Sequence, residues 1–129
     1  MRKTIVCVED ELEIIDLLTS ILDTPSIEVI SAHSAADGLG AIRRWQPALA
    51  IVDLILPDDS GWTVYDAVRA DSMLHETPIL LLTALRREFQ PRKTFRDGPL
   101  DAYVIKPFDV VELRRQIERL LGEVIWERS

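Results

Sequence analysis

The sequence contains no asparagine, so it carries no N-glycosylation acceptor. It has one cysteine, Cys7, set in an apolar run. That excludes a disulfide within the chain and favours a reducing compartment. The longest unbroken apolar stretch, Ala48–Val52, is too short to span a bilayer. The first ten residues lack the apolar stretch and small-residue cleavage site of a secretory signal. Positive charge is in deficit: 15 Lys+Arg against 22 Asp+Glu leave a net charge of −7. Non-specific nucleic-acid binding needs the opposite balance, and no helix-turn-helix or basic arm follows the last helical pattern. His33 and His75 have no Cys or His companions at ligand spacing. Gly38-Leu39-Gly40 lacks the third glycine of a dinucleotide fingerprint. The expectation is a cytoplasmic protein with no membrane span and no direct contact with nucleic acid.

What is present is 129 residues, 47% hydrophobic and 29% charged, enough for one globular domain with a sizeable core. Apolar, β-branched runs alternate with helical patterns along it. Thr4–Val8, Ile27–Ser31, Ala48–Asp53, Ile79–Leu82 and Asp101–Ile105 read as strands. Between them, Ile14, Ile15, Leu18, Ile21 and Leu22 keep a helical spacing. Ser34 can cap a second helix that reaches about Trp45. Pro57-Asp58-Asp59-Ser60-Gly61 is a turn cluster before a third helix, Gly61 to about Asp71. A fourth is expected over 85–96, although Pro91 interrupts it. Asp109 starts a fifth, and Gly122 can stop it. Five strands in strict alternation with five helices imply a doubly wound α/β fold. A parallel sheet is covered on both faces, with its ligand site outside the carboxyl ends of the strands.

The informative polar residues stand at those ends. Glu9 and Asp10 follow the first strand, Asp53 ends the third, Thr83 ends the fourth and Lys106 follows the fifth. Three carboxylates gathered there repel one another, each pair by about 4 kcal/mol at 4 Å and an effective dielectric near 20. One lysine offsets part of that, and a divalent cation would offset the rest. All-oxygen ligation suits Mg²⁺, which also neutralises an incoming phosphoryl group. One carboxylate is then free to attack phosphorus. Each residue has a plainer reading on its own. Asp10 and Glu13 fit a capping-box spacing, Asp53 fits a strand-end turn, Thr83 fits a helix cap, and Lys106 fits a solvated side chain. Their joint arrival at strand ends favours the shared site.

The ordered set Val8-Glu9-Asp10-Glu11, Asp53-Leu54 through Pro57 to Gly61, Leu82-Thr83-Ala84 and Tyr103-Val104-Ile105-Lys106-Pro107-Phe108 closely resembles the receiver domain of two-component response regulators. The resemblance runs over nearly the whole chain. It implies a flavodoxin-like sheet of order 2-1-3-4-5, with a receiver domain over 1–122 and a C-terminal extension or start of a linker over 123–129. It implies that Asp53 accepts a phosphoryl group from the phosphohistidine of a sensor histidine kinase or phosphotransfer protein. Asp10, Asp53 and the Ile55 carbonyl would ligate Mg²⁺, with Glu9 acting directly or through water. Lys106 and the Thr83 hydroxyl would take phosphoryl oxygens. Tyr103 would then turn inward and re-shape the surface of the fourth helix, fifth strand and fifth helix. That surface would receive a downstream effector, an output domain or a second copy in a homodimer. The bond Lys106–Pro107 is a candidate cis peptide. Apolar Ile55 and Leu85 are expected to shield the phosphoryl group and lengthen its lifetime. Such a module is a signalling domain and not an enzyme in the ordinary sense.

Three departures and three competitors accompany that resemblance. Glu9 stands where Asp is frequent, the segment 86–93 is unusual, and Arg96 to Leu100 replaces the usual approach to the fifth strand. Arg86, Arg87, Arg92, Lys93 and Arg96 form a basic cluster, read as a solvated face or a dock for an acidic partner. An interaction module that signals without phosphate is the first competitor. A hydrolase with an aspartate nucleophile would commonly carry a second Asp where Ile55 stands. A flavin binder would be yellow.

Overall fold

The computed structural model describes residues 2–84 and 99–126. The elements are β1 (Lys3–Val8), α1 (Leu12–Leu22), β2 (Ile27–Ala32), α2 (Ala35–Trp45), β3 (Leu49–Asp53), α3 (Gly61–Ala70), β4 (Ile79–Thr83), β5 (Asp101–Ile105) and α4 (Val110–Leu121). The expected helix over 85–96, with Leu85 and the basic cluster, lies outside the described residues. The helix expected as fifth is α4.

All strands pair in parallel, in the order β2-β1-β3-β4-β5. The chain steps from β1 outward to β2, then returns to β3 on the other side of β1. The sheet therefore reverses its winding between β1 and β3, and sheets of this kind bind ligands at the carboxyl edge of that point.

Alternation along each strand feeds two cores. Ile5, Cys7, Leu49, Ile51, Leu80 and Leu82 pack with Leu18, Ile21 and Leu22 of α1 and Leu113, Ile117 and Leu120 of α4. Val6, Val8, Ala50, Val52, Ile79 and Leu81 pack with Ala35 and Ile42 of α2 and Val64, Tyr65 and Val68 of α3. Both faces are covered, which explains why the central strands read as unbroken apolar runs. Cys7 lies inside this core. Burial, and then the charge of Glu9, push its thiol up to about 12, so it is inert near neutral pH.

The helix ends follow local chemistry, with one exception. Ser34 Oγ accepts from Asp37 N–H on α2, Ser60 Oγ from Trp62 N–H on α3, and Asp109 from Val111 and Glu112 N–H on α4. Gly122 closes α4 in the left-handed region at φ 72°. For α1 the capping-box reading of Asp10 and Glu13 does not hold. Glu11 is the N-cap and contributes no side-chain bond, while the Asp10 carboxylate gathers with those of Glu9 and Asp53.

At the amino edge of the sheet, buried Asp101 opens β5. It accepts from Arg69 Nη2 at 2.5 Å and from Tyr65 Oη at 2.9 Å. Arg69 also donates to the carbonyls of Thr77 and Leu100. This network ties α3, the approach to β4 and the start of β5 into one corner. At the C-terminus the chain folds back after Gly122. The buried Glu118 carboxylate accepts from the N–H groups of Ile125 and Trp126, whose side chains pack on the first core. The Arg114 guanidinium lies 5.3 Å from the centre of the Trp126 ring. Among the described residues no helix is long and apolar enough to cross a membrane.

Candidate functional site

The register of the sheet assembles the site. Val8 pairs with Val52, Asp53 with Leu82, and Thr83 with Ile105. The residues at or just past these positions therefore share one rim. Glu9 and Asp10 leave β1, Asp53 ends β3, Thr83 ends β4 and Lys106 leaves β5, its N–H donating to the Thr83 carbonyl at 2.7 Å. Lys106–Pro107 is a cis peptide, as expected.

Ligand oxygens of Glu9, Asp10 and Asp53 lie within 4.8 Å of one another. Glu9 and Asp53 are buried and Asp10 is exposed. Lys106 Nζ bridges the buried pair, at 2.5 Å from Asp53 Oδ2 and 3.1 Å from Glu9 Oε2, with Glu11 Oε1 at 3.7 Å. The remaining oxygens meet backbone donors. Ile55 N–H reaches Asp53 Oδ1 at 2.8 Å, and Glu11 N–H reaches Glu9 Oε1 at 3.1 Å. Asp53 is thus gripped on both oxygens, by an ammonium and by an amide.

One ammonium does not neutralise three carboxylates. Burial, and then the neighbouring Asp53, push the Glu9 carboxyl up to about 7, against the opposing bonds from Glu11 N–H and Lys106. Burial works against the Lys106 ammonium, but Asp53 and then Glu9 outweigh it and hold Lys106 above the ordinary lysine range. This all-oxygen, overcharged and partly open donor set fits a hard divalent cation.

Asp53 is carried into the site by the loop between β3 and α3. Ile55 and Ser60 bridge across it, and Gly61 N–H donates to the Leu54 carbonyl. Gly61 is required there, because a Cβ would press into the Asp53 carbonyl and come within 2.9 Å of Leu54 Cα. At the loop tip, Asp58 reaches across to α2. Its Oδ1 accepts from Ala35 N–H at 2.7 Å and its Oδ2 from Ala36 N–H at 3.0 Å. The sequence marks Asp58 only as a turn residue. A bond across 23 residues leaves no local signal.

Of the residues singled out from the sequence, Glu9, Asp10, Asp53 and Lys106 meet directly, and Thr83 is buried beside them. Ile55 places its side chain in solvent, 57% exposed. Tyr103 is 38% exposed, on the sheet face away from Ala102 and Val104. It borders a groove of about 450 Å³ shared with Pro107, Asp109 and Gln116.

Comparison with known proteins gives this architecture a family. The response regulator receiver domain profile matches residues 5–118. The chain is 33% identical over 117 residues to the DNA-binding dual master transcriptional regulator RpaA of Synechocystis sp., covering 91% of this chain and 48% of that protein. It is 28% identical over 123 residues to the polar-differentiation response regulator DivK of Brucella ovis, covering 95% of this chain and 99% of that one. A putative response regulator from Chloroflexus aurantiacus superposes with a TM-score of 0.79 at 29% identity, covering 95% of this chain and all of the other, 100%. The chain belongs to the response regulator receiver domains, the signalling modules of two-component systems. It spans about half the length of RpaA and of the ycf27 regulators it also matches.

Proposed function

We propose that this receiver domain takes a phosphoryl group onto Asp53 from the phosphohistidine of a sensor histidine kinase or phosphotransfer protein, in a Mg²⁺-dependent step. The observation that carries the reading is the doubly held Asp53 carboxylate inside an acidic, lysine-bridged pocket. An Asp53 oxygen forms the new bond to phosphorus while the bond from phosphorus to the imidazole nitrogen breaks. The electron pair returns to the imidazole, which takes up a proton. Phosphoryl transfer asks the protein for position and charge compensation more than for covalent chemistry.

Asp10, Asp53 and the Ile55 carbonyl would hold the cation, with Glu9 directly or through water. Bound there, Mg²⁺ supplies charge neutralisation for the incoming phosphoryl oxygens. Lys106, in contact with Asp53, would take a phosphoryl oxygen. Thr83, at the end of the neighbouring strand, offers a hydroxyl to another. The added charge of about −1.5 to −2 favours whichever arrangement of the rim contacts it best. Tyr103 and the groove between β5 and α4 are the surface that then changes for a downstream effector, an output domain or a second copy of the chain. The protein signals through this state and turns over no substrate.

The test is intact mass after acetyl phosphate. One phosphoryl adduct is expected with Mg²⁺, none with EDTA and none in Asp53→Asn. An adduct that survives in Asp53→Asn would overturn the assignment. A receiver that signals without phosphate would show no adduct under any condition.

A further inference from the structure

We propose that Asp58 is a positioning residue for the phosphoacceptor: by clamping the β3–α3 loop onto the N-terminus of α2, it fixes the loop that aims Asp53. The inference rests on the phosphoacceptor reading above and concerns how that site is held.

The clamp is two-pronged. Both oxygens of one carboxylate engage consecutive amides, Ala35 and Ala36, at the start of a helix. Those amides have no partner within their own helix. Ser34 serves the next donor, Asp37 N–H, and its carbonyl serves Gly38 N–H. Asp58 therefore completes a cap whose other half is local. These bonds hold its carboxyl below the ordinary aspartate range. The negative charge also suits the positive end of the helix.

The functional weight lies at the other end of the clamp. Asp58 sits three residues after Ile55, and Ile55 N–H is the donor that fixes Asp53 Oδ1. Leu54 and Leu56 anchor the loop by apolar packing, which has no directional preference. Asp59 bonds Ser60 N–H and Thr63 Oγ1, within the same turn. Asp58 bonds an element 22 and 23 residues away. It thereby orients the loop against a helix that is itself packed on β1 and α3. The proposed ligand carbonyl of Ile55 belongs to the same loop, so the clamp also sets the metal site.

The experiment compares Mg²⁺ affinity, read by tryptophan fluorescence, in five proteins: unaltered, Asp58→Ala, Ala35→Pro, Ser34→Ala and Asp58→Asn. The first substitution removes the carboxylate. The second removes the Ala35 donor at a helix position that accepts proline, and leaves the loop untouched. The third weakens the same helix cap without releasing the loop. Asp58→Ala and Ala35→Pro should weaken Mg²⁺ binding by about tenfold, as loss of a ligand-supporting contact typically does. Asp58→Asn, which keeps an acceptor, should recover part of the loss, and Ser34→Ala should leave affinity unchanged while lowering stability. The Ile55 amide resonance should shift in Asp58→Ala and not in Ser34→Ala. Equal affinity in the unaltered protein and Asp58→Ala would overturn the inference alone, as would equal weakening in Ser34→Ala. If the unaltered protein binds no Mg²⁺, the functional reading falls and takes this inference with it.

Discussion

Metal-free stability should fall as pH rises from about 4.5 to about 7, and Glu9 should be the cause. Its folded carboxyl is pushed up from 4.5 to about 7. The folded state therefore keeps a proton that the unfolded chain releases earlier. Below about 4.5 both states hold it and Glu9 costs nothing. Above about 7 both have released it, and the folded state carries a buried charge. At 1.36 kcal/mol per unit, the full difference is about 3 kcal/mol. Lys106 stabilises the fold where Glu9 destabilises it, although its contribution also falls with rising pH. Its folded value is raised, so its contribution is present at neutral pH and lost only as pH climbs past the ordinary lysine range. It does not blur the lower window. Urea unfolding in EDTA at pH 5 and pH 8 measures the effect directly. The unaltered protein should lose up to about 3 kcal/mol more than Glu9→Gln between the two pH values. Millimolar Mg²⁺ at pH 8 should stabilise the unaltered protein more than Glu9→Gln, which keeps Asp10 and Asp53 but lacks the excess charge that the cation relieves. Parallel pH profiles for the two proteins would refute the account of a buried carboxylate that a shared ammonium compensates only in part.

Two further outcomes test other parts of the structure. Asp101→Ala leaves the partly buried Arg69 without its carboxylate and should cost up to about 3–5 kcal/mol in urea unfolding, the range for breaking a fully buried pair. Asp101→Asn, which keeps an acceptor for Tyr65, should cost less. Gly61→Ala forces a methyl against the Asp53 and Leu54 backbone. It should cost about 1–3 kcal/mol and weaken Mg²⁺ binding in a fluorescence titration, because the strain falls on the phosphoacceptor itself.

Much of this molecule is legible in its sequence because the deciding forces are local or periodic. The central strands are apolar and β-branched, and Ser34, Asp109 and Gly122 mark helix ends by short-range bonds. The rim could be read because parallel strands bring their carboxyl ends together, so Asp10, Asp53 and Lys106 must converge once the strands are placed. What escaped the sequence was settled by distant partners. Asp10 has the spacing of a helix cap, but its carboxylate joins the acidic group. Asp58 has the look of a turn residue, but its partners lie on α2. Asp101 has no local reason to be buried, and finds one in Arg69 and Tyr65. Residues 123–129 are expected as a C-terminal extension or the start of a linker, and within that segment Trp126 packs on the core beside Arg114.

The two ends of α4 are tied to different things. Its first turn follows Lys106 by a few residues, and its last turns hold Trp126 through Glu118. The helix is a rod of roughly 18 Å at 1.5 Å per residue. Any movement that re-aims the lysine by shifting this rod as a body must drag the indole across the apolar floor beneath it. The tryptophan is then a lever's far tip, and such a shift of the rod would change the surroundings of its ring.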